Sequence, residues 1–137
     1  MAIKRYFSNA DNTITNAFQE NLLTRGTGSN MGASDILETF SILGQVSSSS
    51  GLTAELSRVL IKFPVSDVIT DRAAGSIPAS GSVSFFLHLY NAEHISTTPQ
   101  DFKLTVSAIS ASWQEGEGMD METYADKTYG IRGSNWI

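Results

Sequence analysis

The side chains that could carry out catalysis are few in this sequence and lie far apart. The histidines are His88 and His94, and there is no cysteine. His88 falls within an alternating apolar segment, which favours an outward-facing strand residue over a catalytic base, while His94 lies beside Glu93 in a loop. No serine occupies a G-x-S-x-G nucleophile motif. We therefore predict that the protein is not an enzyme and has no cofactor. Without cysteine it has neither disulfides nor thiolate zinc sites.

An acidic stretch near the C-terminus, residues 115–122 with the sequence EGEGMDME, is a candidate metal site. Carboxylates on a flexible, glycine-punctuated turn are ligands that Ca²⁺ uses. The spacing does not match an EF-hand loop, and the alternative, which the composition favours, is a solvated acidic loop. The ligands under the calcium hypothesis are Glu115, Glu117, Asp120 and Glu122.

Aromatic residues exposed on a sheet can stack against sugar rings, which makes glycan binding a second candidate activity. Tyr90 closes an alternating apolar segment, and Trp113 directly follows another predicted strand. Aromatic residues at such positions more often fill a core or the rim of a sheet. Trp113 and Tyr90 are thus the candidate glycan contacts, with a packing role as the alternative.

Charge and hydropathy restrict the partners of this chain. Its 137 residues include 9 Lys and Arg against 14 Asp and Glu, a formal net charge of −5. Binding a phosphate backbone would require a basic stripe, so we predict no nucleic-acid partner. The longest apolar run is far short of the roughly 20 residues needed to span a bilayer. No signal-peptide segment is visible at the N-terminus, and we expect synthesis in a cytoplasm without a membrane partner.

Alternation of apolar and polar residues predicts that the chain is rich in β-strands. Residues 82–90 alternate strictly, and residues 102–108 do so until Ile109 breaks the pattern. Further strands are expected at 36–44 and 56–63. The face that the first of these segments should bury holds Val83, Phe85, Leu87 and Leu89.

A short helix is predicted between the strands, because Val65, Val68 and Ile69 have helical spacing. Ser66 is the expected N-cap, and Gly75 follows the end of the helix.

Strands joined by loops, without regular crossover helices, favour an antiparallel sandwich over a parallel sheet. The predicted fold is all-β: an antiparallel jelly-roll-like β-sandwich with one short helix and long polar loops. Residues 1–35 are predicted to form an N-terminal arm with the first short strands, and residues 36–137 the body of the sandwich. The serine-rich stretch at 47–51 is predicted to be a flexible surface loop.

The most apolar strand, SRVLIKFP at residues 57–64, also carries two basic residues. Its apolar side chains lie on one face of an extended chain, whereas Arg58 and Lys62 lie on the other. Facing solvent, these cations would discourage edge-to-edge pairing of strands. The alternative role is contact with a neighbouring subunit.

Five segments, in their order along residues 11–118, resemble the DNRLRE-type jelly-roll module. The N-x-G-x-S/A-x-x-L motif of that family is matched by Asn30, Gly32, Ser34 and Leu37, and its (S/D)W-x-E-G corner by residues 112–116. The segments are DNTIT, GSNMGASDILETF, SRVLIKFPVSDVI, IPASGSVSFFLHLYNAE and DFKLTVSAISASWQEGEG.

The sequence is similar, within that family, to modules carried by structural proteins of tailed bacteriophages. The resemblance implies a non-enzymatic virion protein, on the capsid exterior as a decoration or stabilising protein, or at the neck or tail. Its partners would be other virion proteins and further copies of itself, and its location the virion, after synthesis in the host cytoplasm. The alternative is a carbohydrate-binding module for host surface glycans. Since the family module continues with further strands, this chain is either a fragment or is completed by a neighbour.

Overall fold

The computed structural model describes residues 3–18, 21–26, 28, 30–48, 51–79, 81–93, 95, 101–119 and 132–136. Strands dominate the regular structure of this part of the chain. The elements are strand β1 (Ala10–Thr15), strand β2 (Ser41–Ser48), strand β3 (Gly51–Lys62) and helix α1 (Val65–Ala73).

The strands form one antiparallel sheet in the order β1-β3-β2. Strand β3 is 12 residues long, and each half has its own partner. Its first half pairs with β2, with Leu56 opposite Ser41, and its second half pairs with β1, with Lys62 opposite Ala10. The β2 pairing shifts register between Leu43 and Ser47.

Helix α1 follows β3 directly, because Pro64 lacks the N–H that would continue the sheet ladder. The predicted cap at Ser66 is wrong: the helix has no side-chain cap, and the Ser66 hydroxyl donates to Asp67 Oδ1 at 3.3 Å. The helix begins at Val65, so Ser66 already lies inside the first turn, where it cannot act as the cap. Gly75 follows the helix as predicted, with a φ of 71° that favours glycine.

The structure confirms a strand-rich antiparallel chain with one short helix. Strand β2 begins later than the predicted residue 36, and β2 and β3 extend into the serine-rich stretch at 47–51. Residues 82–90 and 102–108, both predicted strands, are not paired into any strand. A period-two pattern specifies which side chains share a face but not which backbone lies alongside. Across the described ranges a single sheet is present, so the sandwich remains a proposal.

The interior of the described part of the chain is mainly polar. Its buried hydrophobic residues are Ile14, Ala17 and Met31. They all lie within residues 1–35, and β1 from the same stretch is hydrogen-bonded along β3. The buried polar and charged residues are Asn12, Thr13, Thr15, Asn30 and Glu55. Hydrogen bonding, more than apolar contact, must therefore hold β1 in place.

No helix within the described ranges has the length and apolar character that crossing a bilayer requires.

Candidate functional site

Buried asparagines form the centre of the structure. Asn12, on β1, has no exposed surface. Its Nδ2 donates to the backbone oxygen of Ser134 at 2.9 Å, and its Oδ1 accepts from the backbone N–H of Met31 at 3.1 Å. One side chain thus joins β1 to a loop near residue 31 and to the C-terminal segment.

Asn30 does the same for a second set of segments and is also fully buried. Its Oδ1 accepts from the backbone N–H of Gly118 at 3.0 Å, and its Nδ2 donates to Asn135 Oδ1 at 2.9 Å. The backbone N–H of Ala33 donates to the Gly118 oxygen at 2.9 Å. We call the set Asn12, Asn30 and Asn135 the asparagine junction.

Backbone hydrogen bonds hold the two C-terminal segments of the junction together. The N–H of Glu117 donates to the oxygen of Arg132 at 3.2 Å, and that of Ser134 donates to the oxygen of Gln114 at 3.0 Å. Residues 113–118 and 132–136 therefore run side by side where the asparagine side chains reach them.

Glycines allow the backbones to approach each other at the junction. A Cβ added to Gly116, which is buried, would overlap the side-chain amide of Asn30. One added to Gly133 would overlap the backbone of Gly116, and Gly133 also has a φ of 121°. Both positions require glycine, the first for space and the second for space and conformation.

The junction unites residues from motifs that are far apart in the sequence. Residues 11–12, 30–32 and 115–116 belong to three of the segments that carry the family resemblance, and all three meet here. Sequence reasoning missed Gly133, Ser134 and Asn135. A signal existed, because residues 28–30 and 133–135 both read GSN, and the asparagines of the two copies are hydrogen-bonded to each other.

No family model matches this chain. No curated protein and no solved structure matches it either.

Acidic side chains border the junction. The backbone N–H of Asp11 donates to Glu115 Oε1 at 2.9 Å. Burial, with a smaller contribution from the Glu115 charge, raises the pKa of the Asp11 carboxyl group. Of the proposed calcium ligands, Glu115 and Glu117 are exposed, and Asp120 and Glu122 lie outside the described residues. The described part of the chain contains no cluster of three or more His, Asp or Glu side chains that could hold a metal ion.

The basic residues of β3 have different surroundings. The Arg58 guanidinium lies over the Trp136 ring, 4.1 Å from its centroid, so this exposed cation contacts the aromatic residue that follows Asn135. Lys62 is exposed at the end of β3. A cation over an indole at this distance contributes roughly 0.5–1 kcal/mol at an exposed site. Arg58 thus has an intramolecular contact, and a subunit contact remains a prediction for both residues.

The candidate glycan contacts differ in exposure. Tyr90 is 90% exposed, while Trp113 is half-buried at the start of the segment that enters the junction. His88 is also exposed.

A buried carboxylate lies apart from the junction, on β3. Glu55 has no exposed surface, and neither of its carboxylate oxygens has a hydrogen-bond partner. Desolvation raises its pKa, although the charge of Arg25 and the Phe18 amide act in the opposite direction. The Arg25 guanidinium lies 4.1 Å from the centroid of the Phe18 ring, and its Nη1 donates to the Asn16 oxygen at 2.6 Å. Arg25 is therefore held by other groups and does not form an ion pair with Glu55.

The segment before β1 is attached to helix α1 through one carboxylate. Lys4 Nζ lies 2.5 Å from Asp71 Oδ1, and the Tyr6 hydroxyl donates to Asp71 Oδ2 at 2.6 Å. Hydrogen bonds from Lys4 and then Tyr6 lower the pKa of Asp71. The hydrogen bond to Asp71, followed by burial, raises the pKa of Tyr6 to about 12.

We expect this attachment to weaken in strong acid and in strong base. Folding lowers the pKa of Asp71. Its contribution to the stability of the fold is therefore present above its ordinary pKa and is lost as the pH falls through the pKa of the folded state. Folding raises the pKa of Tyr6. Its contribution to the stability of the fold is therefore complete below the ordinary pKa of 10.0 and is lost as the pH rises towards about 12. Subtracting the tyrosinate absorbance of the Tyr6→Phe variant from that of the wild type isolates the titration of Tyr6. Its midpoint should lie near the raised pKa of about 12. A midpoint at the ordinary tyrosine value of 10.0 would contradict the attachment.

Proposed function

We propose that this protein is a non-enzymatic structural protein of a tailed-bacteriophage virion. It would lie on the capsid exterior as a decoration or stabilising protein, or at the neck or tail. The observation that carries the proposal is the convergence of residues 11–12, 30–32 and 115–116 on one buried junction. These residues belong to the segments that resemble the DNRLRE-type module of phage structural proteins, and their contact supports reading them as parts of one structural unit.

The chemistry of the junction supports a scaffold role. Asn12 and Asn30 use both their donor and acceptor groups to fix segments of the chain to each other; three of these four hydrogen bonds reach backbone groups and one reaches the Asn135 side chain. Buried amides that are satisfied by backbone groups specify one arrangement of the chain, but they offer neither a nucleophile nor a base. A rigid, multiply connected centre suits a protein that must present the same surface in every copy of an assembly.

The finer architecture belongs to the same proposal. We take the three-stranded sheet to be part of one layer of a jelly-roll-like β-sandwich, with residues 82–90 and 102–108 supplying further strands in the assembled particle. Strands β1 and β2 form the edges of the sheet.

The test is the composition of the particles made by the phage that encodes this chain. We expect purified virions to contain it in a fixed ratio to the major capsid protein, and immunogold labelling to locate it on heads or on tails. Soluble host enzymes measured in the same preparation control for carry-over. Its absence from purified virions, with the chain present in the lysate, would contradict the proposal.

A carbohydrate-binding module is the second candidate, because aromatic residues that the period-two pattern assigns to one face are strongly exposed. Phe86 is 79% exposed and Tyr90 is 90% exposed. A glycan array would show binding that Tyr90→Ala or Trp113→Ala abolishes without lowering the Tm. No binding by the wild type would exclude this function without affecting the virion assay.

A further inference from the structure

Two segments of this chain that belong to no helix or strand expose an unusual amount of apolar surface. Residues 83–92 and 102–112, which we call the two apolar segments, have nine large hydrophobic side chains that are 43–90% exposed. They are Phe85, Phe86, Leu87, Leu89, Tyr90, Phe102, Leu104, Val106 and Ile109. Single exposed apolar residues are ordinary on a soluble protein, but two whole stretches of them mark an interaction surface.

The backbone of these segments is also unpaired. Among the described residues, no hydrogen bond joins residues 83–92 or 102–112 to another part of the chain. An extended chain with free N–H and C=O groups is a template for pairing with another strand. The side chains and the backbone therefore have the same requirement, which is a second β-strand alongside.

The exposed side chains of the two apolar segments indicate how large the missing contact is. Four of them are aromatic and 66–90% exposed: Phe85, Phe86, Tyr90 and Phe102. Since a buried aromatic side chain covers about 150–250 Å², covering these four would bury roughly 600 Å², and the five aliphatic side chains add to that area. A standard interface buries about 800 Å² per partner, so the two segments are large enough to form one.

The composition of the two segments favours a second copy of this chain as the partner. Residues 83–92 contain no Asp, Glu, Lys or Arg, and residues 102–112 contain only Lys103. Identical segments can therefore lie side by side without repulsion between like charges. A two-fold symmetric pairing satisfies both chains at once, because each copy gives the other a strand to pair with and an apolar surface to cover. A partner selected by charge would require a charged patch, which these segments do not have.

We infer that this protein self-associates through the two apolar segments, which form β-strands with the same segments of a second copy. The inference does not depend on the proposed virion role, since it concerns the purified chain. Burying aromatic and β-branched side chains across the new strand pairs is the driving force.

Light scattering coupled to size-exclusion chromatography tests the inference, with hydrogen exchange measured on the same samples. We expect the wild-type mass to be a multiple of 14.8 kDa. Amides of the two apolar segments should become protected as concentration rises, while those of helix α1 should not change. Phe85→Asp and Leu104→Asp should each weaken association by tenfold or more, about 1.4 kcal/mol or greater.

Leu23→Asp is the matched control, since Leu23 is 85% exposed and lies outside the two apolar segments. It should leave the mass unchanged. A wild type that stays monomeric at all concentrations overturns the inference, as does protection of these amides in a monomer, which would mean that the strands pair within one chain. If Phe85→Asp unfolds the chain at concentrations where the wild type is monomeric, Phe85 has an intramolecular role and the inference also fails.

Discussion

Replacing Gly116 with alanine should lower the free energy of unfolding by about 3–4 kcal/mol. The added methyl group would occupy the position of the Asn30 side-chain amide, and Gly32 and Gly133 also approach the Gly116 backbone closely. Overpacking alone costs typically about 1–3 kcal/mol. Displacing the amide would also leave buried donors and acceptors unsatisfied, at about 1–3 kcal/mol for each group. Urea denaturation followed by the fluorescence of Trp113 and Trp136 measures the effect.

Gly75→Ala is the matched control for this substitution. Gly75 has a φ of 71°, but nothing lies within 4 Å of a Cβ added there. Backbone strain without a steric clash should cost roughly 1 kcal/mol. Equal losses for Gly75→Ala and Gly116→Ala would mean that the close approach between Gly116 and Asn30 does not stabilise the protein.

The sequence predicted the elements whose signals are local. The alternation in residues 56–63 located the second half of β3, and helical spacing together with Gly75 located α1. Pairing partners could not be predicted in the same way, since the alternation in 82–90 is stronger than in β3 but no strand lies beside it. Alternation indicates which side chains of a segment need to be buried. Pairing depends on which other strand lies alongside, and that strand can belong to another chain.

The asparagine junction was not predicted as a site. Its residues 30–32 and 115–116 lie in segments that carry the family resemblance, but no sequence pattern indicated that they contact each other. Asn12 could not be identified as buried, nor Asn135 as the partner of Asn30, because asparagine is ordinarily a surface or turn residue. Only the repeated GSN sequence linked the two ends of the chain. Arg58 likewise looked like a solvent-facing cation, since its contact with Trp136 spans 78 positions and leaves no local pattern.

Glu55→Gln should stabilise the protein at neutral pH by about 1–3 kcal/mol, because a buried carboxylate without a partner carries a charge whose desolvation costs more than that of a neutral amide. Desolvation raises the pKa of Glu55, although the Arg25 charge and the Phe18 amide partly oppose it. Because the folded pKa is raised, the contribution of this group to stability is complete below its unfolded pKa and is lost as the pH rises through the folded value. The advantage of Glu55→Gln should therefore shrink as the pH falls. Urea denaturation of the wild type and of Glu55→Gln at a series of acidic pH values measures this change in relative stability. The effects of Asp11 and Asp71 are common to both proteins and cancel when their free energies of unfolding are subtracted.

Two further variants make the Glu55 prediction specific. Glu38→Gln removes an exposed carboxylate and should change stability by no more than about 0.5 kcal/mol. Arg25→Met removes the nearby positive charge, and should destabilise the wild type more than it destabilises Glu55→Gln, because only the carboxylate responds to that charge. If Glu55→Gln is instead less stable than the wild type at neutral pH, the carboxylate accepts hydrogen bonds that its amide cannot replace. In that case the charge of Arg25 and the Phe18 amide stabilise the buried carboxylate enough for it to contribute to the fold, and the prediction fails.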